Sequence, residues 1–353
     1  MESPKILVLR LSAVGDVIRT LPAVQTLKAH LSSSITWMVE EPSETLLESQ
    51  PEIDEVILFP RRRWSEGMRS VRKIGRTLIE MARFTLTLRR KKFDVVLDFH
   101  GILKSGILSF ISGASRRIGF ERRSSKEGNF IFSNIKVRLS EDRISRYQRN
   151  FALLRGMGLE IKDYHYQFHI PLEDRKYIES FFNQFSTLSG KPVIGIHPGS
   201  SPKTLYKRWM PDRYARLADK LIRELKATVL FTWGPGELEG VKEIQRKMKE
   251  SSILGPYTES LTQLGEIYRH CDLYVGGDTG PTHIASLMGV PVVVIFGPTD
   301  PIVNEPLGFH KKVRKEVGCS PCRDRSCNKL TCLKAIEVED VFKAIREILH
   351  ITN

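Results

Sequence analysis

Short, almost unbroken apolar runs alternate along the chain with segments in which apolar residues return every three or four positions. The runs at 5–11 (K-I-L-V-L-R-L), 35–39, 55–59 and 93–99 predict buried strands, while 21–30 and 143–157 carry helical periodicity. The alternation restarts in the second half, with strands expected at 192–197, 228–233, 272–275 and 290–296 and helices at 211–225, 236–249, 281–288 and 337–349. Apolar runs that do not alternate with polar residues suit strands covered on both faces, so the pattern predicts parallel sheets wrapped by helices. A length of 353 residues calls for two cores rather than one. We expect a first Rossmann-like domain over 1–175, a second over 190–335, and a closing helix over 336–353 that packs back on the first. The passage between domains is placed around 165–171 and 188–190, and two such halves imply a cleft.

Two strand ends carry turn chemistry. After the first strand comes Ser12-Ala13-Val14-Gly15-Asp16, at the carboxyl end of a parallel strand where open α/β sheets bind ligands. Asp16 there suits either a helix N-cap or a general base. After 272–275 comes G-G-D-T-G-P-T-H-I-A, in which the Asp278-Thr279-Gly280 turn opens a helix. A helix start aims unpaired N–H groups and the positive end of a dipole at an anion, to which Thr279, Gly280 and His283 add donors or close approach. Gly199-Ser200-Ser201 offers a second phosphate cradle, and Lys207 in K-R-W-M-P offers a cation to offset departing charge. The segment G-P-G-E-L-E-G at 234–240 mimics a dinucleotide fingerprint, but Glu237 would repel a pyrophosphate and suits a ribose hydroxyl pair or a helix dipole.

Composition changes the picture at two places. The net charge of +14 is concentrated in 61–127, which holds 18 Lys/Arg against 6 Asp/Glu. Such a face suits nucleic acid, an anionic membrane surface or a phosphorylated substrate. Within it Arg61, Arg62 and Arg63 precede Trp64, and 115–126, with Arg122 and Arg123, is read as a mobile or ligand-ordered basic loop. Cys319, Cys322, Cys327 and Cys332 are spaced C-x2-C-x4-C-x4-C, which leaves open a metal site or thiols whose pKa is lowered by Arg323, Arg325 and Lys329. The longest apolar stretch is far too short to span a bilayer, and the N-terminus lacks signal-peptide character, so a cytoplasmic protein is expected.

The motif G-D-T-G-P-T-H-I-A followed by P-V-V-V-I-F-G-P-T-D-P resembles the lipopolysaccharide heptosyltransferases of glycosyltransferase family 9. So do R-L-S-x-x-G-D at the first turn, W-M-V-E-E, R-R-R-W, D-V-V-L-D-F-H-G, K-R-W-x-P and W-G-x-x-x-E. The resemblance implies a GT-B fold and inverting transfer of heptose from ADP-heptose to the Kdo of lipid A; no cofactor or nucleic acid is expected, and no metal is needed if Lys207, the Gly199 loop and the helix at Thr279 hold the diphosphate. It implies Asp16 as general base, Lys207 as a catalytic cation at the donor, and Glu237, Asp278, Thr279, Gly280 and His283 as donor-binding residues, to which Ser200 and Ser201 are added from their place in the cradle. The basic face, with Arg61, Arg62, Arg63, Arg122 and Arg123, would take the acceptor at the inner membrane's cytoplasmic surface. W-M-V-E-E and R-R-R-W resemble the type I enzymes, and the cysteines the type II. The rivals are another nucleotide sugar, an NAD(P) enzyme, against which the absence of G-x-G-x-x-G after the first strand argues, and a nucleic-acid binder, for which basic clusters without interleaved aromatics argue only weakly.

Overall fold

The computed structural model describes residues 3–159, 161, 164, 166–185, 190–322 and 324–351. His165, Leu188, Ser189 and Arg323, named above, lie outside them. The chain divides into two units, Met1–Gln167 and Phe168–Asn353.

The first unit is built on β1 (Lys5–Leu9), β2 (Ser34–Val39), β3 (Glu55–Leu58), β4 (Val95–Asp98), β5 (Arg116–Phe120) and β6 (Ile135–Val137). Its helices are α1 (Val14–His30), α2 (Glu44–Glu48), α3 (Arg61–Met68), α4 (Ile74–Arg90), α5 (Leu103–Ile111) and α6 (Arg146–Leu154). All strand pairs are parallel, in the order β3-β2-β1-β4-β5-β6. The run I-L-V-L of β1 is fully buried, as a central strand covered on both faces must be.

The second unit opens with α7 (Leu172–Phe182) and continues with β7 (Val193–His197), α8 (Pro211–Leu225), β8 (Thr228–Phe231), α9 (Leu238–Lys247) and β9 (Ile253–Leu254). Then follow α10 (Leu261–Arg269), β10 (Leu273–Gly277), α11 (Gly280–Leu287), β11 (Val292–Ile295), β12 (His310–Val313), α12 (Thr331–Lys334) and α13 (Val338–Ile351). Its sheet, β12-β11-β10-β7-β8-β9, repeats the order of the first when counted from β7. Each sheet therefore reverses its winding beside its first strand, between β1 and β4 and between β7 and β10, and at that switch point such folds open a crevice at the strands' carboxyl ends.

Three expectations are corrected. The helix expected from residue 21 begins at Val14: proline is favoured at a helix start, which misplaced the boundary, but Pro22 lies inside α1, where Val17, Ile18, Leu21 and Val24 continue one buried surface. The basic loop at 115–126 is instead β5 followed by a tight turn at Arg122–Ser124, because Ile118 and Phe120 are buried between basic neighbours. The closing helix belongs to the second unit's own core: Val341, Phe342, Ile345 and Ile348 of α13 pack with Leu217 and Leu221 of α8 and with β11.

Candidate functional site

The first switch point gathers arginines around one carboxylate. Ala13, not Asp16, stands at the N-cap of α1, and Asp16 lies in the first turn, where a negative charge meets the positive end of the helix. Arg10, one residue past β1, places its Nη2 2.7 Å from Asp16 Oδ2 and donates from Nη1 to Phe99 O at 2.7 Å. Arg19 and Arg146 approach Asp16 Oδ1 at 3.1 and 3.0 Å. Burial opposes the Asp16 charge, but Arg10, Arg146 and Arg19 outweigh it and hold the carboxyl well below the usual range. Arg149 stacks on Phe120 at 3.8 Å and donates to Ser124 O at 2.7 Å; burial and the repulsion of Arg10 and Arg146 lower its pKa to about 10.

Asp98 and His100, at the end of β4, have different tasks. Asp98 is fully buried and accepts from the His100 and Gly101 N–H groups, from Ser105 Oγ and from Asn129 Nδ2 at 2.7–3.0 Å, so it folds the turn. His100 Nδ1 accepts the Leu11 N–H at 3.2 Å, which leaves its proton on Nε2. Burial and the nearby Arg10 and Lys104 push its pKa down to about 3, so it is a neutral donor near pH 7.

The basic candidates are partly neutralised. Arg61 faces Glu40 at 3.5 Å, Arg62 faces Glu66 at 3.0 Å, and Arg63 pairs with Glu80. Arg122 lies 5.9 Å from the Phe130 ring centre, and Arg123 lines a hollow of about 470 Å³ with Lys126 and Arg149.

The second switch point carries two carboxylates, each with its own cation and histidine. Lys207 Nζ lies 3.1 Å from Asp278 Oδ2 and 3.3 Å from its carbonyl oxygen. His283 is fully buried with Nε2 3.7 Å from Asp278 Oδ1, so it supports that carboxylate from below rather than presenting an exposed donor. Thr279 stands at the N-cap of α11 without a side-chain cap bond, and α11 starts at Gly280 with Pro281 in its first turn, so the positive end of the helix begins two residues after the Asp278 that Lys207 holds.

Glu237 stands at the N-cap of α9, one position before the helical turn expected for it. Its oxygens meet His197 Nε2 at 3.2 Å, Arg208 Nη2 at 3.4 Å and the Gly234 N–H at 2.8 Å. Burial pulls its pKa up, yet His197, the Gly234 N–H and Arg208 together hold it below the ordinary value. His197 Nδ1 lies 3.0 Å from Thr232 Oγ1, itself 3.1 Å from the Tyr268 hydroxyl, so a buried polar chain backs the carboxylate. Ser200 is buried, donating to Thr204 O and accepting from Arg208 Nε, whereas Ser201 is exposed. The K-R-W-M-P motif thus divides its labour: Lys207 holds Asp278, Arg208 ties Ser200 to Glu237, Trp209 is buried and donates to Ile336 O, and Pro211 starts α8. Beside Glu237 lies a mainly apolar cavity of about 250 Å³ lined by Gly199, Met210, Val241 and Leu330.

Arg10, Arg19, Arg146, His197 and Arg208 were not singled out from the sequence. The signals present were an arginine directly after a buried strand, an i,i+3 Asp-Arg pair and the residue after Lys207; Arg146, 130 positions from Asp16, left none. Among the described residues no group of three or more His, Cys, Asp or Glu side chains is placed to hold a metal ion. Cys332 is buried, Cys319 is exposed, and burial raises the Cys332 thiol pKa. Cys271 is a core residue whose Sγ donates to Ile267 O at 3.4 Å. No described helix is long and apolar enough to cross a membrane.

Two parallel sheets of one winding order, each with polar groups gathered at its switch point, are the architecture of the GT-B class. The crystal structure of a family 9 glycosyl transferase from Veillonella parvula shares the fold at a TM-score of 0.77 and 23% identity, covering 99% of this chain and 97% of that one. E. coli heptosyltransferase WaaC with ADP does so at 0.72 and 20%, covering 98% and 99%. The chain belongs to glycosyltransferase family 9, whose sequence model, described as glycosyltransferase family 9 (heptosyltransferase), matches residues 81–332. It is 27% identical to lipopolysaccharide heptosyltransferase 1 of Campylobacter coli over 98% of both chains. It is 30% identical to the lipopolysaccharide core heptosyltransferase OpsX of Haemophilus influenzae, over 90% of this chain and 88% of that one.

Proposed function

We propose that this glycosyltransferase moves heptose from ADP-heptose to the Kdo of the lipopolysaccharide inner core, as a type I enzyme, working peripherally at the cytoplasmic face of the inner membrane. The observation that carries the reading is Lys207 held against Asp278, two residues before the start of α11. A cation and unpaired N–H groups at one strand end are what a departing diphosphate needs, because they stabilise charge that develops as the bond breaks. Ser201, Thr279 and Gly280 border the same carboxyl edge, and the cavity beside Glu237 suits the base and ribose. In this reading Ser200, Glu237 and His283 act through the groups they hold in place.

Asp16 takes the proton of the acceptor hydroxyl as that oxygen bonds to the anomeric carbon, the carbon–oxygen bond to the β-phosphate breaks, and ADP leaves with its electron pair. Attack opposite the leaving group inverts the centre. A carboxylate so firmly held by arginines is a weak base at rest. An anionic acceptor supplies those arginines with a second counter-charge, which relaxes their hold and raises the proton affinity of Asp16 in the complex. His100 Nε2–H is a neutral donor for the same sugar.

The test is transfer from ADP-heptose, with ADP-glucose, UDP-glucose and GDP-mannose as alternatives, to a delipidated Kdo acceptor with and without a first heptose. Mass gain of one heptosyl unit on the Kdo acceptor with release of ADP is expected. Transfer from a UDP or GDP sugar alone, or only to the heptosylated acceptor, would overturn the donor or the type I reading respectively.

A further inference from the structure

α4 is apolar on two faces. One is ordinary: Thr77 and Leu88 are buried, and Met81 and Phe84 pack against the core cluster that contains Trp64 and Phe93. The other points away from it. Ile74, Leu78, Ala82 and Leu86 repeat every four residues along the solvent side with Ile79 beside them, and Leu78, Ile79 and Leu86 are each at least half exposed. A helix that had only to cover a core would carry polar residues there. Instead Arg76, Arg83 and Arg90 run along one margin of the stripe, and nine Lys/Arg stand against the single acid Glu80 between Arg69 and Lys92.

The stripe is extended by a neighbour. Arg89 of α4 donates from Nε to Ile111 O at 3.1 Å, which brings the end of α5 alongside. On α5, Leu103, Ile107 and Phe110 follow one another at helical spacing and are all exposed. Arg117 sits 5.6 Å from the Phe110 ring centre, and Val71, 93% exposed at the turn leading into α4, lies between Arg69 and Arg72. Exposed apolar side chains framed by long cations are the composition of a helix that lies in a membrane interface, its apolar face in the acyl boundary and its arginines at anionic headgroups. A protein partner of matching shape would not require so one-sided a charge.

We propose that the outer face of α4, continued by α5, is the surface on which the first unit lies against an anionic lipid bilayer. The proposal deepens the membrane association above and rests on that reading.

Sedimentation with vesicles of phosphatidylcholine alone and with about 30% phosphatidylglycerol tests it. The protein should bind the anionic vesicles, less so as salt rises, and the Leu78→Glu/Leu86→Glu variant should bind at least about tenfold more weakly, since two apolar anchors are lost. Because both positions are exposed, the variant should keep its circular dichroism and its transfer to a delipidated acceptor. Tryptophan at Leu78→Trp should shift to shorter wavelength with anionic vesicles only. Equal binding by the glutamate variant, or self-association through this face in place of vesicle binding, overturns the proposal. Vesicle binding without transfer to any acceptor would leave the surface standing and remove the functional reading.

Discussion

The two units wind their strands in one order, yet the chemistry at their switch points is opposite in kind. At the first, Asp16 faces Arg10, Arg19 and Arg146, so cations exceed anions and an acidic guest is favoured. At the second, Asp278 and Glu237 are each matched by one cation and one histidine, leaving local charge near balance and the anion-binding capacity with Lys207 and the start of α11. Topology determines where a ligand sits, whereas a few side chains just past the strand ends determine which charge it carries. Under the proposed function, the repeated Rossmann-like unit holds a nucleotide sugar in one copy and an acidic acceptor in the other.

The comparison breaks most visibly at Asp16. Asp16→Asn should lower kcat by about 10²- to 10⁴-fold, the usual contribution of a positioned base, with donor affinity unchanged. The substitution also leaves three arginines without their anion. Because the Asp16 pKa is depressed in the fold, its contribution to stability is present above the unfolded value of about 4 and is lost as pH falls toward the folded one. The Tm gap between wild type and Asp16→Asn should therefore be widest near neutrality and shrink below about pH 4; a constant gap would show that the arginines do not depend on this charge.

A smaller but still large effect is expected at Gly199. A Cβ there would collide with the Glu237 carboxylate, so Gly199→Ala must push Glu237 off His197 and Arg208. A loss of about 1–3 kcal/mol is expected in thermal or urea unfolding, together with weaker ADP binding; an unaltered variant would mean that Glu237 is free to move. At His100 a hydrogen bond to the sugar can be separated from a structural role. His100→Gln keeps a group at the Nε2 position, whereas His100→Asn keeps only the partner of the Leu11 N–H. Acceptor kcat/KM should fall about tenfold in the Asn variant and much less in the Gln variant, and the reverse order would make His100 a strut. Least of all, Arg61→Glu, Arg62→Glu and Arg63→Glu together should raise the acceptor KM only severalfold and reduce its salt dependence, since each arginine already faces a carboxylate.

Much of this contrast was legible in the residues. Apolar runs such as V-V-V-I marked the central strands, and K-R-W-M-P and G-D-T-G-P-T-H marked the second switch point, because local chemistry there is contiguous. Edge elements were not: β6 and β9 are short and only partly buried, so no periodic signal separates them from loops. The arginine cage could not be read as a unit for another reason: Arg10 and Arg19 stand near Asp16 in the chain, but Arg146 comes from a helix 130 residues away and meets it only through the fold. His283 lies within a readable motif, but its burial, and hence its service to Asp278, does not show in a sequence.

The division of labour between the units is tested most directly by calorimetric titration of ADP into wild type, Lys207→Ala and Asp16→Asn. Removing the cation at the second switch point should weaken ADP binding by about tenfold or more, while Asp16→Asn should bind as wild type does. ADP affinity lost in Asp16→Asn and retained in Lys207→Ala would place the nucleotide on the arginine-rich unit and contradict the account.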